Sequence, residues 1–266
     1  MRPSRKYKPA NMSQTLRARF AAGETLFTAW SGITSPHLAG VVAASGYDCV
    51  TLDMQHGAHD TASIFACTES VRRAGAHVIV RVPVNANYLV SRALDFGAEA
   101  VIGPMINSVS DAEAFAKAAK YPPMGERSWG PTRAMELNAE KNATEFLLAQ
   151  NARTMSFAMI ETREALDSLD AILDLQGIDG VLVGPADLSI ALNNGAAVDP
   201  LGPVVSAAAE QIARRTRAKG KVAAIFCVDD ARAQTYKEQG FQLIALQTDS
   251  NMVARGAAAA LAAARA

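Results

Sequence analysis

The chain carries no excess of charge. Its 266 residues hold 26 Lys plus Arg against 26 Asp plus Glu, for a formal net charge of zero. A nucleic-acid binder needs surplus positive charge to displace counterions from phosphates, so the balance argues against that class. Cysteine is scarce. Cys49, Cys67 and Cys227 are odd in number and lack CxxC spacing. That leaves no basis for a disulfide framework or a zinc ribbon, and it fits a reducing cytoplasm. No apolar run reaches the roughly 18 residues needed to span a bilayer, because charged residues interrupt every stretch. No apolar segment marks a signal peptide near the start. Nucleotide loops of the GxGxxG or GxxxxGK(S/T) type are missing. So are the HxH and HExxH spacings of zinc sites and the GxSxG elbow of serine hydrolases. No Gly/Ser-rich linker divides the chain, so one domain is expected.

What is present is a large apolar fraction, 50% of residues, with 20% charged. That is enough for a sizeable core. Residues 1–11 carry Arg2, Arg5, Lys6 and Lys8 with two prolines and read as a solvated basic tail, with Met12 as an alternative start. From Thr25 onward one rhythm repeats: a short apolar run, then an Ala-rich stretch with helical spacing. Strands are expected at 25–33, 49–54, 77–83, 100–105, 154–161, 180–185, 222–227 and 243–248. Helices are expected near 36–45, 60–74, 87–96, 110–120, 136–150, 162–174, 203–219, 229–239 and 249–264. Runs apolar on both faces suit a parallel sheet covered by helices. Gly46, Gly75, Gly97, Gly177, Gly220 and Gly240 stand between helix and next strand, where a left-handed cap is needed. Eight such units match a (β/α)8 TIM barrel, spanning 12–266, better than an open doubly wound sheet. The Pro-rich segment 121–135 breaks the rhythm and reads as a long loop.

In such a barrel the active site lies at the C-terminal ends of the strands. The polar residues there include Asp53, Gln55 and His56 after strand two, Arg81 on strand three, Glu161 after strand five and Asp187 after strand six. Strand seven ends at Cys227 and Asp229, and strand eight at Gln247 and Asp249. Glu161 and Asp187 are 26 residues apart, about one βα unit, so their strands should be neighbours, roughly 5 Å apart. Two carboxylates so placed repel each other unless a cation or a shared proton relieves them, and an oxygen-only site with few protein ligands suits Mg²⁺ or Mn²⁺. The alternative is two separate surface acids, each at a helix start. His56 is suited to moving protons near neutral pH and Arg81 to holding a developing oxyanion. The free N–H groups of Ala186 and Asp187 could take a substrate carboxylate. No lysine stands at a strand top for a Schiff base, and Cys227 reads as a buried reduced thiol. His37, His59 and His77 read as structural. Together these residues suit a class II aldol reaction on a 2-oxo acid.

The segments LDMQH (52–56), YPPMGERS (121–128), IETREA (160–165) and GPADLS (184–189) resemble the HpcH/HpaI class II pyruvate aldolases, from about Gly23 to Ala264. The nearest subgroup is that of the hydroxyketoacid and 4-hydroxy-2-oxoheptanedioate aldolases. The resemblance implies a (β/α)8 barrel, a hexamer built as a dimer of trimers, and a last helix exchanged between subunits. It implies reversible cleavage of 4-hydroxy-2-oxo acids into pyruvate or hydroxypyruvate and an aldehyde, through a metal-bound enolate. By the same resemblance Glu161 and Asp187 ligate a divalent cation (Mg²⁺, Mn²⁺ or Co²⁺) and Arg81 stabilises the enolate. His56 is the acid–base residue, Asp95 makes it more basic, and the amides of Ala186 and Asp187 hold the donor carboxylate. Strand counting, however, puts Asp95 at the far end of its helix, near the barrel bottom. Three positions depart from the family pattern: Met54-Gln55 replaces Gly-Glu, and Met159 replaces a substrate-contacting Gln. In the loop, Arg127, Trp129 and Arg133 either shape the acceptor side or order the loop by packing at a subunit interface.

Two other readings compete. A CoA-ester lyase of the malyl or citryl type shares the acid pair, but needs a basic pocket for the CoA phosphates, and no Lys cluster flanks the strand tops. A catalytically silent barrel acting as a binding protein predicts disabled strand tops, whereas Glu161, Asp187, Arg81 and His56 are all present.

Overall fold

A computed structural model describes residues 14–266. The basic tail expected at 1–11 lies outside the described residues. Eight parallel strands close into a barrel in sequence order: β1 (Leu26–Ser31), β2 (Cys49–Asp53), β3 (His77–Arg81), β4 (Ala100–Gly103), β5 (Met155–Ile160), β6 (Gly180–Val183), β7 (Val222–Cys227) and β8 (Leu243–Thr248), with β8 paired back to β1. Every expected strand is present; β7 and β8 have the expected bounds and the other six are shorter by one to three residues. The helices are α1 (Leu16–Ala21), α2 (Pro36–Ala44), α3 (Thr61–Arg73), α4 (Asn87–Asp95), α5 (Val109–Ala119), α6 (Thr132–Leu137), α7 (Ala143–Arg153), α8 (Arg163–Asp167), α9 (Leu169–Asp174), α10 (Pro185–Leu192), α11 (Pro203–Ala218), α12 (Ala233–Glu238) and α13 (Asp249–Arg265).

The period-two alternation of the strands sorts side chains into two layers. Cys49, Ile79, Phe157, Met159, Leu182 and Ala224 fill the barrel interior. Val50, Leu52, Val78, Val80, Ala158 and Ile160 face the helices. The same alternation carries Asp53, Arg81 and Glu161 to the inner face at the C-terminal ends, which is why polar groups can sit there without breaking the core. Helix α1 was not expected, because six residues are too few for a periodic signal. Thr15 caps it, and its Leu16 and Phe20 close the barrel bottom, Phe20 edge-on to Phe157 at 6.4 Å.

Several boundaries differ from expectation. The helix expected at 136–150 is two helices, broken where Ala139 takes a φ of 53° and Asn142 caps α7. The stretch 162–174 is likewise split at Ser168. Within 229–239 only α12 is a full helix, after a 3-10 turn at Asp230–Arg232. Gly46, Gly75, Gly97, Gly220 and Gly240 do take positive φ, but Gly177 does not. Gly177 is required for space instead, since a Cβ there would come within 2.7 Å of the Ala116 side chain. The loop at 121–135 gives way to α6 at Thr132 and is ordered by aromatic packing, with Trp129 between Tyr121 (5.6 Å) and Phe146 (6.3 Å).

Candidate active site

A cavity of about 670 Å³ opens at the C-terminal ends of the strands. Asp53, His56, Arg81, Ala186 and Asp187 line it. The organising pair is Asp53 and Arg81, which the β2–β3 register sets side by side. Arg81 donates from Nε to Asp53 Oδ1 at 2.8 Å and from Nη2 to Oδ2 at 2.7 Å. Such a two-point ion pair fixes the guanidinium plane as well as its place. Asp53 also accepts from Trp30 Nε1 at 3.1 Å and from the backbone N–H groups of Gln55, His56 and Gly57. Burial pushes the Asp53 carboxyl up, but the hydrogen bonds and charge of Arg81 outweigh it and hold the group below its ordinary value. One carboxylate therefore does two things: it aims Arg81 and it shapes the turn that carries His56. Asp53 stood among the strand-end acids in the sequence but had no assigned role; the legible signal was its register opposite Arg81.

The Trp30 ring lies 4.9 Å from the Arg81 guanidinium. Nη1, the part of Arg81 not engaged by Asp53, has the Met159 sulfur at 4.0 Å as its one hydrogen-bond partner among the described residues. Met159 makes this part of the floor apolar, as its replacement of Gln leads one to expect. Gln55, the other departure, does not line the cavity, and its Oε1 is buried without a partner among the described residues.

Glu161 is buried just beyond β5. Its Oε1 accepts the Met105 N–H at 2.7 Å. Met105 holds that orientation in a left-handed conformation (φ 51°), an uncommon cost for a side chain of this size. Oε2 takes no hydrogen bond from the described residues and lies against Gly184, where a Cβ would collide with it. Burial, reinforced by the nearby charge of Asp187, raises the Glu161 carboxyl to about 7. Asp187 itself is exposed in the first turn of α10, beside the free N–H of Ala186. No side chain caps this helix.

A destabilised buried carboxylate with one open oxygen and a second carboxylate nearby is the environment a cation relieves. Among the described residues no group of three or more His, Cys, Asp or Glu side chains could hold a metal. The donor set is therefore two carboxylates and open positions, which suits a hard divalent cation that keeps water and takes a chelating substrate. The residues fit such an ion.

His56 is exposed at the cavity mouth, and its ring makes no hydrogen bond to the described residues. Asp95 is not brought to it. Asp95 ends α4, pairs with Arg127 Nη2 at 2.6 Å and lies outside the cavity lining. The reason is topological: the last residue of a βα-unit helix is at the barrel bottom, so within one chain Asp95 does not tune His56. Arg127 stacks on Tyr121 at 4.4 Å and Arg133 pairs with Glu69. Neither they nor Trp129 lines the cavity, so in this chain they order the loop and do not shape an acceptor pocket.

His59 is structural, as expected, but more integrated than a helix-start residue suggests. It is buried between Ser31 Oγ (3.0 Å) and Ser63 Oγ (3.1 Å). Ser31 in turn donates to Asp249, which also accepts from the Gly32 and Ile33 N–H groups and so ties α13 to the end of β1. Cys227 is buried, its thiol pushed up to about 11 by burial, so it is no thiolate nucleophile at neutral pH. Among the described residues no lysine lines the cavity.

The chain is similar to several known proteins. The chain is 32% identical to a hydroxypyruvate/pyruvate aldolase of Roseovarius nubinhibens, over 94% of this chain and 96% of that one. It is also 32% identical to a 4-hydroxy-2-oxo-heptane-1,7-dioate aldolase of Salmonella arizonae, over 93% of each. The crystal structure of an HpcH/HpaI aldolase from Desulfitobacterium hafniense superposes with a TM-score of 0.86 at 27% identity, covering 94% of this chain and 96% of that one. Residues 26–256 match the HpcH/HpaI aldolase/citrate lyase family, and the chain belongs to it.

Proposed function

We propose that the protein is a class II aldolase that reversibly cleaves 4-hydroxy-2-oxo acids into pyruvate or hydroxypyruvate and an aldehyde. The observation that carries this reading is the convergence of Glu161, Asp187 and an Arg81 aimed by Asp53 at one end of the barrel. The names of the relatives support the same chemistry.

In this reading the N–H groups of Ala186 and Asp187 at the start of α10 donate hydrogen bonds to the carboxylate of the 2-oxo acid. Glu161 and Asp187 hold a divalent cation, Mg²⁺, Mn²⁺ or Co²⁺. When bound, the ion acts as a Lewis acid toward the 2-oxo group. His56, through a water, takes the proton of the 4-hydroxyl as the C3–C4 bond breaks, and the aldehyde leaves. The electrons of that bond pass to the 2-oxo acid fragment, and its C3 then takes the proton back from that water to give pyruvate. Arg81 donates from Nη1 to the oxygen on which the charge develops. Condensation is the reverse, with the proton returned to the new hydroxyl.

The assembly belongs to the same proposal. Beyond Ser250 the surface of α13 is almost wholly exposed, Leu261 at 50% and Val253 at 51%. An Ala-rich helix so uncovered suits exchange with a neighbouring subunit in a hexamer built as a dimer of trimers. A reducing cytoplasm is the compartment that three buried unpaired thiols fit, and no helix among the described residues is long and apolar enough to cross a membrane.

The test is cleavage of 4-hydroxy-2-oxopentanoate with Mg²⁺, following pyruvate by a lactate dehydrogenase couple. Pyruvate release that EDTA abolishes is expected. A folded protein that releases none with any of the three metals contradicts the proposal.

A further inference from the structure

The cavity has two unlike halves. One half presents Arg81, Met159 and the start of α10, with Glu161 behind Gly184, and takes the donor in the reading above. The remaining wall comes from β1, β7, β8 and the segment after α10. It presents Trp30, Phe226, Val228 and Pro200, with the hydroxyl-bearing Thr248 and Ser250 at its edge. Phe226 stands edge-on to Trp30 at 5.3 Å, so the two rings form one apolar surface. Apart from His56 at the mouth, Arg81 is the only basic side chain among the described residues lining the cavity. Its Nε and Nη2 are held by Asp53, and in the reading above its Nη1 serves the donor. The other charged groups along the cavity, Asp53, Asp187 and Asp249, are acids.

We infer that the aldehyde accepted here has an uncharged, apolar tail, and that Phe226 and Val228 set this preference. The inference rests on the aldolase reading above. A carboxylate at the far end of the acceptor would leave water for a wall with no cation and no fixed donor row to receive it, close to three acids. An alkyl or aryl tail instead buries apolar surface against the two rings. Val228 is 38% exposed at the end of β7, so a longer side chain can be accommodated there without disturbing the core.

The experiment uses the full chain with Mg²⁺ and pyruvate, and compares butanal with 4-oxobutanoate, which share a chain length and differ in the terminal carboxylate. A kcat/KM at least tenfold higher for butanal is expected. V228R should shift that ratio toward 4-oxobutanoate by about tenfold, while solvent exchange of the pyruvate methyl protons stays as in the unaltered protein. S250R, on the exposed edge of the same wall, is the second variant should V228R fail to fold. Equal or better use of 4-oxobutanoate by the unaltered protein overturns the inference, as does a ratio that neither variant moves. Loss of pyruvate exchange in the unaltered protein would instead overturn the aldolase reading, so the two failures are distinct.

Discussion

Glu161→Gln should make the metal-free protein more stable, and increasingly so as pH rises. The unaltered carboxyl is shifted up to about 7 by burial and by Asp187, against an ordinary value near 4.3 in an unfolded chain. A raised acid pKa means that the folded state binds the proton more tightly than the unfolded one. Below about pH 4 both states are protonated and nothing is lost. As pH rises through the interval the folded state must hold a buried charge or a costly proton, and stability falls until the folded pKa is passed. At 1.36 kcal/mol per tenfold change in proton affinity, the cost levels off at about 4 kcal/mol above pH 8 and is about 1 kcal/mol at pH 5. Gln keeps the acceptor for the Met105 N–H and removes the charge. For a chain of this size about 4 kcal/mol corresponds to roughly 8–16 °C in Tm. Thermal and urea unfolding in EDTA at pH 5 and pH 8 measure it. Saturating Mg²⁺ should reverse the order, because a bound cation stabilises only the chain that can hold it. If the variant is no more stable than the unaltered protein in EDTA at pH 8, or its gain is the same at both pH values, the electrostatic account of the site is wrong.

Three further outcomes follow from the geometry. Asp53→Asn removes the two-point hold on Arg81, and pyruvate methyl exchange should slow by about 10²-fold or more with the fold intact by circular dichroism; an unchanged rate would show that Arg81 needs no such partner. Gly184→Ala puts a Cβ into Glu161 Oε2, so Mn²⁺ affinity by titration calorimetry should drop by at least tenfold, and an unchanged Kd would place the cation elsewhere. Deleting residues 250–266 leaves the Asp249 contacts to β1 in place but removes the exposed helix, and sedimentation should show the assembly dispersed; an unchanged profile would mean that α13 does not join subunits.

Much of this architecture could be read from the residues. The eight strands were legible because each is a short apolar run with helical spacing after it, and period two alone carries Asp53, Arg81 and Glu161 inward. The carboxylate pair was legible because Glu161 and Asp187 follow consecutive strands. What escaped depends on partners distant in the chain. Asp53 became central only through its register opposite Arg81, and the strained Met105 amide that meets Glu161 leaves no mark in composition. Gly177 looked like a helix cap but is small because Ala116 is close. Asp95 shows the converse: the resemblance placed it at the site, while counting along its helix put it at the barrel bottom, where it pairs with Arg127.

The central claim is that this site draws a proton from the carbon next to the 2-oxo group of pyruvate and holds the resulting charge. Proton–deuterium exchange at the pyruvate methyl group, followed by NMR in D₂O without any aldehyde, tests it most directly. Exchange is predicted with Mg²⁺, and its loss with EDTA or in Glu161→Ala. A folded protein that exchanges no methyl proton with any divalent metal, or that exchanges equally well in EDTA, would contradict it.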